Sequence, residues 1–239
     1  MIKFDSDYMS GCHSEVLKRL VATNMEETPG YCCDEYCQRA AELIKNECGN
    51  DEAQVWFMVG GTQTNSTVLS ALLRNHEGVI AADSGHIAVH EAGAIEAWGH
   101  KVIELKSVDG KLSAESIDNY IDNFYDDATY PHMVFPGAVY ISFPTELGTL
   151  YTLKELSEIS ETCKRRNIPL FIDGARLGYG LMSEGNNVTI KDIARLSDVF
   201  YIGGTKVGAL FGEAVVITNP SLKRDFRYFK KIFYNYRLC

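Results

Sequence analysis

QVWFMVGGTQTNSTVLSALL, residues 54–73, is the stretch on which the fold turns. Gln54 to Val59 form a short apolar run with the length of a buried strand. Gly60-Gly61-Thr62 follows with no spacer. Val68, Leu69, Ala71, Leu72 and Leu73 then return at helical spacing. A strand that passes through two glycines into a helix opens a strand–helix–strand unit.

The same alternation continues downstream. GVIAAD (78–83), KVIELK (101–106), AVYISF (138–143), PLFID (169–173), DVFYIG (198–203) and EAVVIT (213–218) read as strands. Residues 86–99, 113–125, 153–167 and 189–195 read as helices, the third of them capped by Thr152. Upstream, residues 12–24 and 34–48 are helical, parted by Pro29-Gly30. Near-continuous apolar strands alternating with helices imply an α/β fold, a mostly parallel central sheet with helices on both faces. Three parts are expected: an N-terminal helical segment (1–30), a large domain (31–225), and a tail (226–239) that starts as a helix and stops.

Composition narrows the function. The chain has 239 residues, 46% of them hydrophobic, and a formal charge of −9. Such a chain folds rather than staying disordered. Its negative balance offers neither phosphates nor an anionic bilayer a basic face, so nucleic acid and membrane are not expected partners. The first residues hold no apolar core of signal-peptide length, which makes the cytoplasm the expected compartment. The seven cysteines are odd in number and include no paired C-x-x-C spacing. Reduced thiols are expected, with no disulfide framework and no metal site.

Three polar motifs follow apolar strands directly: Gly60-Gly61-Thr62-Gln63-Thr64-Asn65, Asp173-Gly174-Ala175-Arg176 and Gly203-Gly204-Thr205-Lys206. Ligands of open α/β sheets bind outside the carboxyl ends of the strands, so all three are expected on the ligand side. The first suits a phosphate: its glycines let the backbone approach, Thr62 adds a hydroxyl, and the helix start offers free N–H groups. It matches neither the Walker loop nor G-x-G-x-x-G, and a plain strand-to-helix turn would look the same. Asp173 needs a partner where it stands. That partner is either Arg176 or a protonated ring nitrogen. Lys206, in a glycine-rich turn, suits a Schiff-base amine as well as an ordinary loop lysine. An anion cradle, a carboxylate and an amine are together what a protein offers pyridoxal phosphate. His86, at the next strand-to-helix connection, is placed to stack on a flat ring.

These motifs resemble the pyridoxal-phosphate enzymes of fold type I, and within them the low-specificity L-threonine aldolases of the β-eliminating lyase group. The stretches that carry the resemblance are FDSDYMSGCHSEVLKRL, VGGTQTNSTVLSALL, ADSGHIAVHEAGAIEAWGHKV, ISFPTELGTLYTLKEL, PLFIDGARLGYGL and YIGGTKVGALFGEAVV. They stand in the family's order and cover most of residues 4–230.

The resemblance implies a lyase that cleaves the Cα–Cβ bond of L-threonine or L-allo-threonine to glycine and acetaldehyde. It implies pyridoxal 5'-phosphate as cofactor and a homodimer or homotetramer. Lys206 would bond the cofactor's aldehyde, with Thr205 beside it. Asp173 would face the pyridine nitrogen, Gly61 and Thr62 would hold the phosphate, and His86 would stack on the ring. Arg176 would reach the ring hydroxyl or the substrate carboxylate, near Ser6. The base for the β-hydroxyl is His86, Glu146, or a water held by either. Glu91 matches a family position without a derivable role. Two departures stand out: Val207 follows the lysine where a polar residue is frequent, and IFYNYRLC does not resemble the family's continuation into a small C-terminal domain. That domain is expected to be largely missing. The alternatives are another fold type I reaction, such as β-elimination or transamination, or a cofactor-binding remnant without turnover.

Overall fold

The computed structural model describes residues 5–234. Residues 1–4 and 235–239, with Cys239 and the end of the expected tail, lie outside them. In chain order the elements are α1 (Ser14–Thr23), α2 (Glu35–Cys48), β1 (Gln54–Met58), α3 (Gly61–Leu72), β2 (Glu77–Ala82), α4 (His86–Val89), α5 (Ala94–Ala97) and β3 (Val102–Leu105). They continue with α6 (Ala114–Asp126), a 3-10 turn (Tyr130–His132), β4 (Phe135–Ser142), α7 (Leu153–Arg166), β5 (Leu170–Asp173) and α8 (Leu177–Met182). Last come α9 (Ile190–Leu196), β6 (Val199–Gly203), β7 (Glu213–Ile217), α10 (Pro220–Lys223) and α11 (Phe226–Tyr234).

The seven strands form one sheet in the order β1-β7-β6-β5-β4-β2-β3. β2, β3, β4, β5 and β6 pair in parallel, and β7 is antiparallel to both β6 and β1. The mostly parallel sheet expected from the apolar runs is therefore present, with β7 as the reversed strand. Because β7 runs backwards, its first residue, Glu213, sits level with Gly203 and Met58 at the carboxyl ends of the others.

Each face of the sheet buries its own core. On one side Ile80, Val139, Ile141, Ile172 and Phe200 pack with Leu156, Ile159 and Ile193 of α7 and α9. On the other, Val79, Tyr140, Phe171, Tyr201 and Val215 pack with Val68 and Leu69 of α3 and Ile95 of α5. Each such side chain contributes roughly 1.5–3 kcal/mol by leaving water. The helices start where the sequence gives them an acceptor. Thr152 and Glu155 form a reciprocal capping box at α7, as do Ser113 with Ser116 at α6 and Thr189 with Asp192 at α9. Gly49 ends α2 in the left-handed conformation.

Three local expectations change. The helix read over 86–99 is broken into α4 and α5, because Ala92 (φ 51°) and Gly93 (φ 71°) turn left-handed between them. α8 is a further short helix in the stretch after Asp173. The helix that opens the tail packs on the domain: α11 lies on α3, with Phe226 and Phe233 buried and the Phe233 ring centroid 4.3 Å from that of Trp98, the two rings tilted. α1, by contrast, buries no residue and leaves Leu17 and Val21 exposed.

Candidate active site

The strand-end motifs converge on one edge of the sheet. Tyr140, Phe171 and Tyr201 form an aromatic row across β4, β5 and β6, with ring centroids 5.5 and 6.2 Å apart. The hydroxyls of both tyrosines point at Asp173. Tyr140 donates to Oδ2 and Tyr201 to Oδ1, each at 2.6 Å. Asn65 Nδ2 donates to Oδ2 at 3.1 Å and the Ala175 amide to Oδ1 at 2.9 Å. Asp173 is thus a buried carboxylate with four donors, which is how such a group is made tolerable in a core. Burial, followed by the Asp173 charge, pushes both tyrosine hydroxyls well above their ordinary range. Arg176, the internal partner considered from the sequence, does not pair with Asp173. It pairs with Asp7, its Nη2 lying 3.2 Å from Oδ1 and its Nε bonding Oδ2.

The first motif lies directly above. α3 starts at Gly60 with no side-chain cap, so its first-turn amides face the site edge unclaimed by a side chain. A Cβ at Gly61 would stand 3.4 Å from the Tyr201 hydroxyl. Gly61 is therefore one hydroxyl away from Asp173, and a larger residue would begin to fill the gap. Thr62 is exposed at the same turn.

His86 opens α4 with its ring half-buried. Its Nδ1 lies 2.7 Å from Glu91 Oε1, and Glu91 has no exposed side-chain surface. Asn65 Nδ2 also reaches Glu91 Oε1 at 2.7 Å, so the amide bridges the Glu91 and Asp173 carboxylates. The Glu91 hydrogen bond raises the His86 pKa. Burial opposes it, the Glu91 and Asp173 charges add to it and Lys206 subtracts. Glu146 Oε1 accepts from Ser142 Oγ at 2.6 Å and from the His86 amide at 2.9 Å, so it caps α4 from the loop after β4. His90 ends α4 with its ring centroid 5.7 Å from that of His86.

Lys206 stands in the loop between β6 and β7. Its side chain is 14% exposed and its Nζ is 3.9 Å from Asp7 Oδ1 and 5.9 Å from the Tyr8 ring centroid. Thr205 Oγ1 donates to Glu213 Oε1 at 2.7 Å, and the Gly204 amide to Oε2 at 3.0 Å. Burial pushes the Glu213 carboxyl up to about 7, against the pull of those two donors. Burial also pushes Asp7 up, but the Arg176 and Lys206 cations outweigh it and leave the group below its ordinary value. Ser6, next to Asp7, is half-buried and accepts weakly from the Tyr8 amide at 3.5 Å.

The sequence reading missed Tyr140, Tyr201, Asn65, Asp7 and Glu213 at this site. Glu213 gave a signal, as an acid heading the otherwise apolar run EAVVIT. The tyrosines gave none, since within a strand they read as core.

This arrangement fits a flat phosphorylated aldehyde such as pyridoxal phosphate. The α3 start offers amides and the Gly61 gap, the half-buried His86 ring offers a face, and Lys206 offers an amine 3.9 Å from Asp7 Oδ1. Two buried acceptors, Asn65 Oδ1 and Glu91 Oε2, lack partners among the described residues. A protonated ring nitrogen at Asp173 would share or replace one of the four donors there.

A parallel-sheet α/β domain with an amine, a shielded carboxylate and a helix-start cradle at its carboxyl edge defines a class, and sequence comparison gives that class a family. Residues 3–233 match the family model described as beta-eliminating lyase, and the chain belongs to this family. It is 33% identical over 228 residues to the low specificity L-threonine aldolase of Pseudomonas sp. (strain NCIMB 10558), covering 95% of this chain and 64% of that protein. The corresponding protein of Pseudomonas aeruginosa is 32% identical over the same length. Among solved structures, the threonine aldolase of Leishmania major superposes with a TM-score of 0.92 at 45% identity, covering 96% of this chain and 66% of that one. The chain thus spans 64% of the length of the curated relatives it matches.

Proposed function

We propose that this chain forms the cofactor-binding part of a pyridoxal-phosphate lyase that cleaves the Cα–Cβ bond of L-threonine or L-allo-threonine, giving glycine and acetaldehyde. The observation that carries the reading is the meeting of Lys206, Asp173, His86 and the uncapped start of α3 at one sheet edge.

Pyridoxal phosphate, when bound, supplies an aldehyde that condenses with amines and a ring that takes up the electron pair of the broken bond. Lys206 would hold that aldehyde through its side-chain amine. Asp173, fixed by Tyr140, Tyr201, Asn65 and Ala175, would keep the far side of the ring positive. Gly61 and Thr62 would hold the phosphate at the α3 start, with Thr205 steadying the lysine loop through Glu213. His86 would offer its face to the ring, and with Nδ1 committed to Glu91 its Nε2 would be the atom that takes the β-hydroxyl proton. Glu146 reaches the same place only through the His86 amide and Ser142, which favours His86 as the base. Arg176 and Ser6 are assigned to the substrate carboxylate. Asp7 now presents a carboxylate to Arg176, so a substrate carboxylate would compete with it.

The proposal includes a cytoplasmic homodimer or homotetramer. Free cysteines at positions 12, 32, 33, 37, 48 and 163 suit a reducing compartment, and the apolar side chains that α1 leaves in solvent suit a subunit contact. The test is to add pyridoxal phosphate, record the absorbance, reduce with borohydride and map the adduct. It is expected on Lys206 and absent in Lys206→Ala. Incubation with L-threonine then separates reactions: glycine with acetaldehyde supports the lyase, whereas ammonia with a keto acid refutes it.

A further inference from the structure

We infer that Glu91 is a positioning residue that sets the charge and the tautomer of His86. The inference rests on the lyase reading only for what His86 then does to substrate. The hold on His86 stands on geometry alone.

The chain makes Glu91 an interior residue by a local device. A continued helix would set positions 86 and 91 on different sides of its axis, since five residues are well over one turn. The left-handed pair Ala92-Gly93 stops that helix, and the Ala94 amide bonds back to the Glu91 carbonyl at 3.0 Å. The Glu91 side chain is thereby buried against His86, its Oε1 2.7 Å from Nδ1. Glu91 Oε1 receives two donors, His86 Nδ1 and Asn65 Nδ2, both at 2.7 Å. Oε2 receives none among the described residues. The His86 bond is therefore half of the hydrogen bonding this buried carboxylate has among the described residues.

A carboxylate oxygen only accepts, so the proton of a neutral His86 ring is on Nδ1 and the lone pair on Nε2. That is the tautomer a base needs if Nε2 faces substrate. The groups around His86 divide in sign, and the Glu91 hydrogen bond is the largest influence among them. Glu91 and Asp173 on β5 favour its charged form, and Lys206, from the loop after β6, opposes it. The His90 ring is adjacent, and Glu146 binds the His86 amide rather than its ring. Glu91 thus lets the ring accept a proton by lowering the energy of the imidazolium that results.

The test follows the ring nitrogens of His86 by 15N NMR across pH in the 239-residue chain, with and without pyridoxal phosphate, the signals being assigned by their loss in His86→Asn. Wild-type His86 is expected as the Nδ1–H tautomer, titrating above the ordinary histidine value near 6.5. In Glu91→Gln the midpoint is expected to fall by about one unit or more, with a mixture of tautomers, and Glu91→Asp to restore part of the shift. In the loaded protein the acidic limb of kcat for threonine cleavage should move down in pH by the same amount. kcat should drop roughly ten- to a hundredfold, while KM and the Lys206 adduct stay as they were. An Nε2–H tautomer or an ordinary midpoint in the wild-type chain overturns the inference without any variant. An unmoved midpoint in a folded Glu91→Gln chain overturns it too. If no adduct forms on wild-type Lys206, the lyase reading fails, and the NMR result still decides what Glu91 does to His86.

Discussion

The loops after β5 and β6 bring opposite charges to the same edge and hold them in opposite ways. Asp173 is surrounded by four donors, two of them hydroxyls rooted in the aromatic row of the sheet. Lys206 has its nearest acidic oxygen among the described residues 3.9 Å away, and its loop is tied down through the neighbours Gly204 and Thr205. The acid is therefore part of the core, and the amine is a free end on a tethered backbone. Such a division suits a group that must stay fixed opposite one that must make and break a bond.

Substitutions at the two loops should separate accordingly. The largest effect belongs to the free end: Lys206→Ala should remove the borohydride-trapped adduct and lower threonine cleavage by roughly 10³-fold or more, with the melting temperature little changed. A trapped adduct of undiminished yield would mean that another amine does the work. Asp173→Asn should lower turnover by roughly 10²–10³-fold, since it removes a charge aimed at one atom of the bound ring. Unlike the lysine change, it should also lower the melting temperature. Wild-type kinetics in that variant would reduce Asp173 to a structural acid.

Glu213, which anchors the lysine loop, adds a pH signature. Burial lifts its carboxyl from 4.5 to about 7, so the folded chain keeps a proton that the unfolded chain gives up in between. Stability should then fall as pH rises from 4.5 to about 7 and level off above. The full loss amounts to about 3 kcal/mol, from 1.36 kcal/mol per unit. Glu213→Gln should flatten that slope in melting temperature against pH, and identical slopes would dismiss the idea. The smallest change is Tyr201→Phe. It removes one donor from Asp173 but leaves the Ala175 amide on the same oxygen, at a cost of about 1–2 kcal/mol in denaturant unfolding. A loss as large as that of Asp173→Asn would show that the four donors do not share the work.

The sheet was legible because its strands are covered on both faces and read as unbroken apolar runs. The three polar motifs were legible because they interrupt those runs at their ends. What lay beyond reach depended on register or on distant pairs. Tyr140 and Tyr201 look like core until β4, β5 and β6 are aligned and their hydroxyls meet Asp173. Asp7 and Arg176 are brought together across 169 positions of sequence. Glu91 was conspicuous but mute, because its role depends on a two-residue left-handed turn inside what periodicity alone presents as a single helix. Only Gly93 hinted at that turn.

β7 has a consequence that its place in the sheet does not advertise. The helices α3 to α9 carry the chain between every successive pair of strands up to β6, whereas β6 returns at once through residues 204–212 as a hairpin. The Gly204 amide closes that hairpin on the Gly212 carbonyl at 2.9 Å. The Lys206 amine therefore rides on a ring of chain that can assemble from near neighbours, ahead of the long crossovers that deliver residues 61, 86 and 173. During refolding, amide protection in 204–212 should be gained before the wall facing it is complete.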